Sequence, residues 1–301
     1  MSKILVFGSI NMDLVVRVSN PPQPGETILG SDFETFPGGK GANQAVAASR
    51  MGGEVTMVGR VGNDDFGDVL IQSLVDDQVK TASVIKDPKA ATGVAMITVA
   101  RNGENTIVVA PGANYQVSVE DINNARPLMR EVDIFLLQME CPLETVETAI
   151  ELANAYNLPV VLNPAPAQSI SPSVLSSVDY LTPNQSELAL LSGETDIELG
   201  IKKLLSWGVR NLIVTLGHNG ARVVSEGIDQ HIPAFEVTAV DTTAAGDAFN
   251  GALTVALAEK KPLLEAVRYG NAAGALAATK RGAQPSLPTR DAVEQLVKIQ
   301  K

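Results

Sequence analysis

Short apolar runs recur along the chain, rich in Val, Ile and Leu and without alternation of polar and apolar positions. Strands that are buried on both faces of a parallel sheet have this pattern, because neither face meets water. The runs that predict such strands are residues 3–8, 55–62, 133–138, 159–163, 178–182 and 211–217.

Segments with helical periodicity lie between these runs. They are residues 42–51, 66–77, 143–156, 186–193 and 197–208, and the C-terminal third adds helices at about 247–259, 262–280 and 289–299. Strand, helix and strand in repetition predict a doubly wound α/β fold, a mostly parallel sheet flanked by helices. We expect one domain over residues 1–301.

Two segments show partial alternation and Gly or Asn turn residues, which favours hairpins. Residues 14–18 lead through PPQPGETILG into residues 33–36, and residues 93–100 turn through RNGEN into residues 106–110. We expect a small separate sheet from these segments, which span about 14–36 and 93–110 and act as a lid or a dimerisation surface. The alternative is that they are edge strands of the main sheet.

The composition narrows the class of protein. With 45% hydrophobic and 19% charged residues, the chain has an ordinary globular composition. A net charge of −11 argues against nucleic acid or an anionic membrane as partner. A single cysteine, Cys141, permits no disulfide framework, and the N-terminal apolar run is too short for a signal peptide or a membrane span. We therefore expect a cytoplasmic protein.

The segment TAAGD, residues 243–247, opens the first C-terminal helix. The small residues Ala244, Ala245 and Gly246 leave backbone N–H groups bare, and the helix start adds the positive end of the helix dipole. This combination predicts an anion site. Asp247 beside it is either a helix N-cap or the base that removes a hydroxyl proton in phosphoryl transfer.

Two more glycine-rich segments are candidates for ligand contact. In PGGKGANQA, residues 37–45, glycines allow a ligand close to the backbone, and Lys40 and Asn43 add polar groups at a helix start. A tight turn with a helix cap is the alternative. TLGHNGA, residues 215–221, either wraps a nucleotide or only joins two strands. The sequence contains no P-loop motif, and no dinucleotide fingerprint follows the first strand.

Taken together, these motifs resemble those of the ribokinase-like carbohydrate kinases, the PfkB family. Its two signature regions match GGKGANQAVAASRMG near the N-terminus and DTTAAGDAFNGAL near the C-terminus. The segments GSINMD, PGETILG, NPAPA, TPNQSE and RGAQPS are similar as well, so the resemblance covers essentially the whole chain. It implies a ribokinase-like fold and the phosphorylation of a sugar by ATP, with Mg²⁺ and a monovalent cation, K⁺.

The resemblance also implies individual roles. Asp247 would be the catalytic base for a sugar 5-hydroxyl. Ala244, Ala245 and Gly246, with the Asp247 amide, would hold the γ-phosphate. The residues that resemble the sugar ligands are Asn11, Asp13, Gly39, Lys40, Asn43, Glu140 and the base itself. The alternatives are that Asn11 and Asp13 are turn residues and that Glu140 is a solvated loop charge.

Nucleotide and metal contacts follow from the same resemblance. The residues that resemble the ATP contacts are Asn184, Thr215, Gly217, Gly220, Gly246 and Asn271. Glu187 resembles the residue that organises Mg²⁺ through water. The residues that resemble the K⁺ site, several through carbonyl oxygens, are Asp241, Thr243, Ala277, Lys280, Gly282 and Ser286. For Asp241 the alternative is a surface loop carboxylate that binds nothing.

Asn11 favours D-ribose as the substrate. Close relatives that act on 2-deoxyribose tend to have an apolar residue there, and an amide left without the 2-hydroxyl costs about 1–3 kcal/mol. We therefore expect ATP-dependent formation of D-ribose 5-phosphate by a homodimer joined through the lid. The alternatives are a kinase of 2-deoxyribose, fructose or adenosine, a non-catalytic sugar-binding relative, and an NAD-dependent dehydrogenase, which the missing fingerprint disfavours.

Overall fold

The structure, a computed structural model, describes residues 1–101 and 104–300. The strands of this part of the chain, numbered in order, are β1 (Lys3–Phe7), β2 (Asn11–Val18), β3 (Phe33–Gly38), β4 (Glu54–Gly62), β5 (Lys80–Asp87), β6 (Gly93–Ala100), β7 (Asn105–Ala110), β8 (Ile134–Leu137), β9 (Val160–Leu162), β10 (Tyr180–Leu181), β11 (Asn211–Thr215), β12 (Ala221–Ser225) and β13 (Ile228–Ile232). Its α-helices are α1 (Lys40–Arg50), α2 (Asp65–Asp76), α3 (Val119–Asn124), α4 (Arg126–Met129), α5 (Leu143–Ala155), α6 (Pro172–Ser176), α7 (Gln185–Ser192), α8 (Ile197–Ser206), α9 (Ala245–Ala258), α10 (Leu263–Ala277) and α11 (Arg290–Ile299).

The main sheet runs in the order β13-β12-β11-β10-β9-β8-β1-β4-β5. Neighbouring strands are parallel from β11 to β5, and β12 and β13 add antiparallel pairs at one edge. Strand order reverses at β1, which lies between β8 and β4. Ligands of such sheets bind at the carboxyl ends of the strands beside this reversal. The segments that follow β1 and β8 are therefore the expected place for a site.

Buried apolar residues cover both faces of the main sheet. In β1, Ile4 and Val6 belong to a core cluster that includes residues of α1 and α9. Leu5 and Phe7 point the other way, into a cluster that includes residues of α5. All four side chains are fully buried. This two-sided burial explains the continuous apolar runs of the sequence and confirms the doubly wound prediction.

A small sheet confirms both predicted hairpins. β2 pairs antiparallel with β3, β6 pairs antiparallel with β7, and β2 joins β6 in parallel. The alternative of edge strands is wrong, because within the described ranges these strands form a sheet of their own, in the order β3-β2-β6-β7. The predicted turn at 101–105 includes residues 102 and 103, which lie outside the described residues.

Some elements differ from the prediction. Strands β5, β12 and β13 were missed because charged and polar residues interrupt them, as in KTASVIKD and IDQHI. The helix expected at 262–280 ends at Ala277. The next carbonyl oxygen, of Ala278, instead accepts hydrogen bonds from the Val240 and Asp241 amides at 2.8 and 3.2 Å. Across residues 1–101 and 104–300, every helix is too short or too polar to span a bilayer.

Candidate active site

Helix α9 begins directly after a residue with left-handed backbone. Ala244 has a φ of 58° and is the N-cap, without a side-chain capping bond. Asp247 is therefore the third residue of the helix, and its prediction as an N-cap is wrong. The Ala245 amide donates to the Thr242 carbonyl oxygen at 3.2 Å, whereas the amides of Gly246 and Asp247 have no acceptor in the described part of the chain. The helix start thus presents bare donors at the positive end of its dipole.

The Asp247 carboxylate is held by two side chains of α1. Its Oδ2 accepts a hydrogen bond from Asn43 Nδ2 at 3.0 Å, and its Oδ1 accepts one from Gln44 Nε2 at 2.9 Å. Only 7% of the residue is exposed. Burial raises the pKa of Asp247, while the charge of Lys40 and the two hydrogen bonds oppose that change. The carboxylate therefore binds a proton more strongly than an exposed aspartate, which suits a general base.

Lys40 is the first residue of α1 and lies among four carboxyl groups. Burial acts to lower the pKa of Lys40, but Asp247 and Glu140, followed by Glu187 and Asp13, raise it overall. The ammonium group is therefore protonated and places a positive charge close to the start of α9. The fold thus brings together five charged residues that the resemblance assigned to the sugar, the base and Mg²⁺.

Glu140 follows β8 and is fixed by the segment after β1. Its Oε2 accepts hydrogen bonds from Ser9 Oγ and, at 3.1 Å, from the Lys40 amide. Ser9 Oγ also accepts one from the Gly41 amide at 3.3 Å. A Cβ on Gly41 would lie 2.6 Å from the backbone of Gly8, so only glycine permits this approach of α1. Glu140 is a hydrogen-bonded, partly buried carboxylate rather than a solvated loop charge.

Asn11 and Asp13 lie on one face of β2 and not in a turn. They are 3% and 9% exposed. A Cβ on Gly38 would lie 2.4 Å from the Asp13 carboxylate, so a glycine in β3 makes room for that carboxylate. Burial, with added repulsion from Glu140 and Asp247, raises the pKa of Asp13 to about 7.

The PGGKGANQA segment packs closely against the start of β2 and leaves one buried acceptor available to a ligand. Gly39 has a φ of 86°, and a Cβ there would lie 2.7 Å from the Asn11 amide nitrogen. Asn43 Oδ1 is buried and has no hydrogen-bond partner among the described residues. Because a buried acceptor without a donor is unfavourable, a ligand hydroxyl would stabilise this arrangement.

The residues expected at the nucleotide begin at the ends of β10 and β11, where Asn184 and Thr215 form a parallel bridge. Asn184 Oδ1 accepts from the Glu187 amide, and Glu187 Oε2 accepts from the Asn184 amide, both at 2.8 Å. This capping box gives the Asn-x-x-Glu spacing a structural role at the start of α7, which the sequence analysis missed. Burial raises the pKa of Glu187, and charge interactions with Lys40 and Asp247 place it near the start of α9.

Gly220 and Asn271 contact the same backbone segment. A Cβ on Gly220 would lie 2.1 Å from the Ile232 carbonyl oxygen. Asn271 Nδ2 donates to that oxygen at 3.0 Å and to the next carbonyl oxygen at 3.1 Å. Gly217 has a φ of 59° and open space around it. The segment does join β11 to β12, through a short 3₁₀ turn.

Asp241 ties together the two loops that were expected to hold K⁺. Its Oδ1 accepts hydrogen bonds from the Thr243 amide and hydroxyl at 2.9 and 2.6 Å, and its Oδ2 accepts one from the Gly282 amide at 3.0 Å. Burial acts to raise the pKa of Asp241, but these bonds lower it overall, so it is ionised at neutral pH. Ser286 is fully buried and donates to the Ala283 carbonyl oxygen at 2.7 Å.

These loops offer one carboxylate and several carbonyl oxygens, the donors that hard cations prefer. The carbonyl oxygen of Ala277 accepts a hydrogen bond from the Lys280 amide at 3.1 Å, at the end of α10. Over residues 1–101 and 104–300, no group of three or more His, Cys, Asp and Glu side chains is arranged to hold a metal ion. One carboxylate with carbonyl oxygens is a donor set compatible with a monovalent cation.

An open cleft of about 940 Å³ separates the small sheet from these loops. Asp13, Asp241 and Thr243 line it, together with Arg17 and Arg281. Asp247 does not line the cleft, but its charge acts on Asp13. The cleft is large enough for a small polar ligand, and Asp13, one of the residues expected to bind the sugar, lines it.

Three residues of the site were missed in the sequence. Gln44 holds Asp247, Ser9 holds Glu140, and Asn114 donates to Asn11 Oδ1 at 2.7 Å. Gln44 and Ser9 stand inside the GGKGANQ and GSINMD motifs, so their positions were a usable signal. Asn114 lies outside the quoted motifs, in the turn after β7.

Known carbohydrate kinases are similar to this chain over almost its whole length. The family described as pfkB family carbohydrate kinase matches residues 1–290. Ribokinase of Bacillus subtilis is 41% identical over 297 residues, covering 99% of this chain and 100% of the relative. Deoxyribokinase of Salmonella typhimurium is 37% identical over 292 residues, 95% of each protein. The solved structure of Arabidopsis thaliana ribokinase complexed with ribose and ATP has a TM-score of 0.89 and 33% identity, and the match covers 99% of both chains.

Proposed function

The chain belongs to the pfkB family of carbohydrate kinases, and we propose that it transfers the γ-phosphoryl group of ATP to the 5-hydroxyl of D-ribose. The products are D-ribose 5-phosphate and ADP. The observation that carries the proposal is the place of Asp247, a buried carboxylate in the first turn of α9, next to the bare amide of Gly246. A base and an anion site in one helical turn meet the two needs of phosphoryl transfer.

The reaction follows from this arrangement. Asp247 accepts the proton of the 5-hydroxyl while the sugar oxygen attacks the γ-phosphorus, and the bond from that phosphorus to the ADP oxygen breaks. The amides of Gly246 and Asp247 stabilise the charge on the transferring phosphoryl oxygens. Lys40 adds a positive charge nearby, because its surrounding carboxylates keep it protonated.

The sugar is bound by groups that complement hydroxyls. Asp13 and Glu140 accept hydrogen bonds, Lys40 donates them, and Asn43 has a free acceptor in Oδ1. Asn11 selects ribose over 2-deoxyribose, because its amide loses a partner when the 2-hydroxyl is missing. Asn11 is a better guide to the choice between ribose and 2-deoxyribose than overall sequence identity is. The ribokinase and the deoxyribokinase are almost equally similar to the chain, at 41% and 37% identity.

ATP would lie along the carboxyl ends of β10 and β11. Its contacts would be Asn184, Thr215, Gly217, Gly220, Gly246 and Asn271, whose arrangement supports this proposal. Mg²⁺ would neutralise phosphate charge. Glu187 would hold a water of that ion through Oε1, since Oε2 is engaged in the capping box.

K⁺ would occupy the loops around Asp241, with Thr243, Ala277, Lys280, Gly282 and Ser286. Its effect would be indirect: the Asp241 loop leads straight into α9, so a cation there would fix the geometry of the anion site. Burial acts to raise the pKa of Asp241, but hydrogen bonds from Thr243 and Gly282 lower it overall, so its carboxylate would bring a negative charge to this site at neutral pH.

The small sheet would act as a lid of a single domain and exclude water from the transferred phosphoryl group. It would also join two copies of the chain in a homodimer. Every residue of β7 is exposed, including Ile107 at 53% and Val108 at 62%, and Met96 of β6 is 48% exposed. Exposed apolar side chains that lie together on one sheet favour association with a second copy of the chain. Light scattering that shows a monomer at micromolar concentration would contradict the dimer.

The enzyme would work in the cytoplasm, where a single buried thiol, Cys141, stays reduced. ADP release should be measured with ribose, 2-deoxyribose, fructose, adenosine and fructose 6-phosphate, each with and without K⁺. Ribose should give the highest kcat/KM, and K⁺ should raise it. A faster reaction with another sugar or nucleoside would replace ribose as the substrate. Binding of ribose without turnover on any substrate would favour a non-catalytic role.

A further inference from the structure

A chain of buried amides connects the candidate base to the interior. Gln44 is fully buried in α1, and its Nε2 donates both to Asp247 Oδ1 at 2.9 Å and to Asn163 Oδ1 at 3.0 Å. Its Oε1 accepts from Gln138 Nε2 at 2.7 Å. Because Gln138 occupies the oxygen, the nitrogen of Gln44 must face the carboxylate.

The same series of hydrogen bonds leads back to α9, the helix that carries Asp247. Asn163 Nδ2 donates to the Thr182 carbonyl oxygen at 3.2 Å. The Thr182 hydroxyl donates to Asn250 Oδ1 at 2.7 Å, and Asn250 Nδ2 donates to the Gly246 carbonyl oxygen at 2.9 Å. The carboxylate and the peptide beside it are therefore joined in one closed network, in which a change at one amide is transmitted to its neighbours.

We propose that Gln44 is a positioning residue for the phosphoryl transfer, which holds Asp247 Oδ1 and so fixes the direction in which the carboxylate meets the sugar hydroxyl. This inference rests on the proposed function and names a residue that acts through the base without touching the substrate. The bond also favours the ionised carboxylate, since a hydrogen bond donated to a charged form stabilises that form.

Charged groups as well as Gln44 influence the proton affinity of Asp247. The charged groups that act on Asp247 are Lys40 on α1, Asp13 on β2, Glu140 after β8 and Glu187 on α7. A substitution at Gln44 replaces none of these charged side chains. The Gln44 hydrogen bond is one of the influences that lower the pKa of Asp247 against the larger effect of burial, so loss of this donor raises the proton affinity of the base.

A merely structural role predicts a different result. A buried glutamine that only fills the core would lower the thermal midpoint when it is replaced, and the pH dependence of turnover would stay as it is. A positioning role moves the pH dependence, because the group that gains or loses a proton is the base itself. The pH profile therefore separates the two roles.

Two variants of similar size test the proposal. Gln44→Met removes the donor, and Gln44→Glu adds an ionisable carboxyl beside Asp247. The ascending limb of kcat/KM against pH should move upward by about one pH unit in Gln44→Met, with kcat at pH 7 about 10-fold lower. It should move further in Gln44→Glu, because two neighbouring carboxyl groups share a proton.

The control is Thr145→Val, which removes a buried hydrogen bond outside this network, from the Thr145 hydroxyl to the Val117 carbonyl oxygen at 3.2 Å. It should lower the thermal midpoint without moving the pH profile. Unchanged profiles in both folded Gln44 variants, or in Gln44→Glu alone if Gln44→Met does not fold, would overturn the proposal. The wild-type assay tells the two hypotheses apart: no turnover of ribose by the wild type refutes the proposed function, whereas normal wild-type turnover with unmoved variants refutes only the role of Gln44.

Discussion

Asn114 donates a hydrogen bond from its Nδ2 to Oδ1 of Asn11, at a distance of 2.7 Å. Asn114 lies in the short turn Gly112–Gln116, by which the chain leaves the small sheet, and it is 1% exposed. Its Oδ1 accepts from the Ile10 amide at 2.9 Å, so both ends of the amide are fixed. Because Oδ1 of Asn11 is occupied, Asn11 offers its Nδ2 as a donor to a ligand.

Substitution Asn114→Ala should lower the selectivity of the enzyme for ribose over 2-deoxyribose. Without the bond, the Asn11 amide can rotate and no longer depends on the 2-hydroxyl for a partner. The ratio of kcat/KM for the two sugars should fall by about 10-fold, the size of one lost hydrogen bond. Asn154→Ala is the matched control, since Asn154 Nδ2 donates to the backbone carbonyl oxygens of Ile150 and Ser177, away from the sugar residues. An unchanged ratio in Asn114→Ala would show that Asn11 is held in place by other contacts.

Substitution Asp247→Asn should abolish most turnover and preserve binding. An amide cannot take the proton of the sugar hydroxyl, so kcat should fall at least ~100-fold, the usual range for a general base. Calorimetry should still detect ribose and ATP. Asp196→Asn is the control, because Asp196 caps α8 and asparagine caps a helix equally well. Near-normal turnover in Asp247→Asn would mean that another group accepts the proton.

The stability of the ligand-free protein should fall as the pH rises through the pKa of Asp13. Burial, with Glu140 and Asp247, raises that pKa from 3.8 to about 7. Between the two values the folded protein binds more protons than the unfolded chain, so this contribution to the free energy of unfolding is full below about pH 4 and lost by about pH 7.

Asp13→Asn should remove this contribution. Urea denaturation at pH 5 and pH 8 should show a smaller loss of stability in the variant than in the wild type, and the variant should bind ribose less tightly. If both proteins lose the same stability between these pH values, Asp13 does not titrate in this range.

Arg60 should matter for stability more than most charged residues. It donates to Asp87 at 2.7 Å and to Asp121 at 2.9 Å, and these two carboxylates are only 8% and 7% exposed. Arg60→Met leaves both carboxylates without their cation and should lower the free energy of unfolding by about 3 kcal/mol. Arg210→Met, which breaks the exposed pair with Asp179, should lower it by less than about 1 kcal/mol. Equal losses in urea denaturation would contradict this ranking.

The repeating strand and helix pattern of the sequence predicted the α/β class, because burial on both faces and helical periodicity are local properties of the chain. The two hairpins were also predictable, since their turns contain Gly and Asn residues. Polar strands such as β13 were not, because their place at the edge of the sheet depends on pairing with β12 rather than on their own composition.

The sequence by itself determined the family of the chain and the motifs around Asp247 and Lys40, since both signature regions are continuous in the chain. Only the tertiary structure decided which side chains meet there. Gln44 and Asp247 are 203 positions apart, and Asn11 and Asn114 are 103 apart. Contacts of that range depend on how α1, α9 and the small sheet pack against the ends of the strands, and no local pattern of residues encodes them.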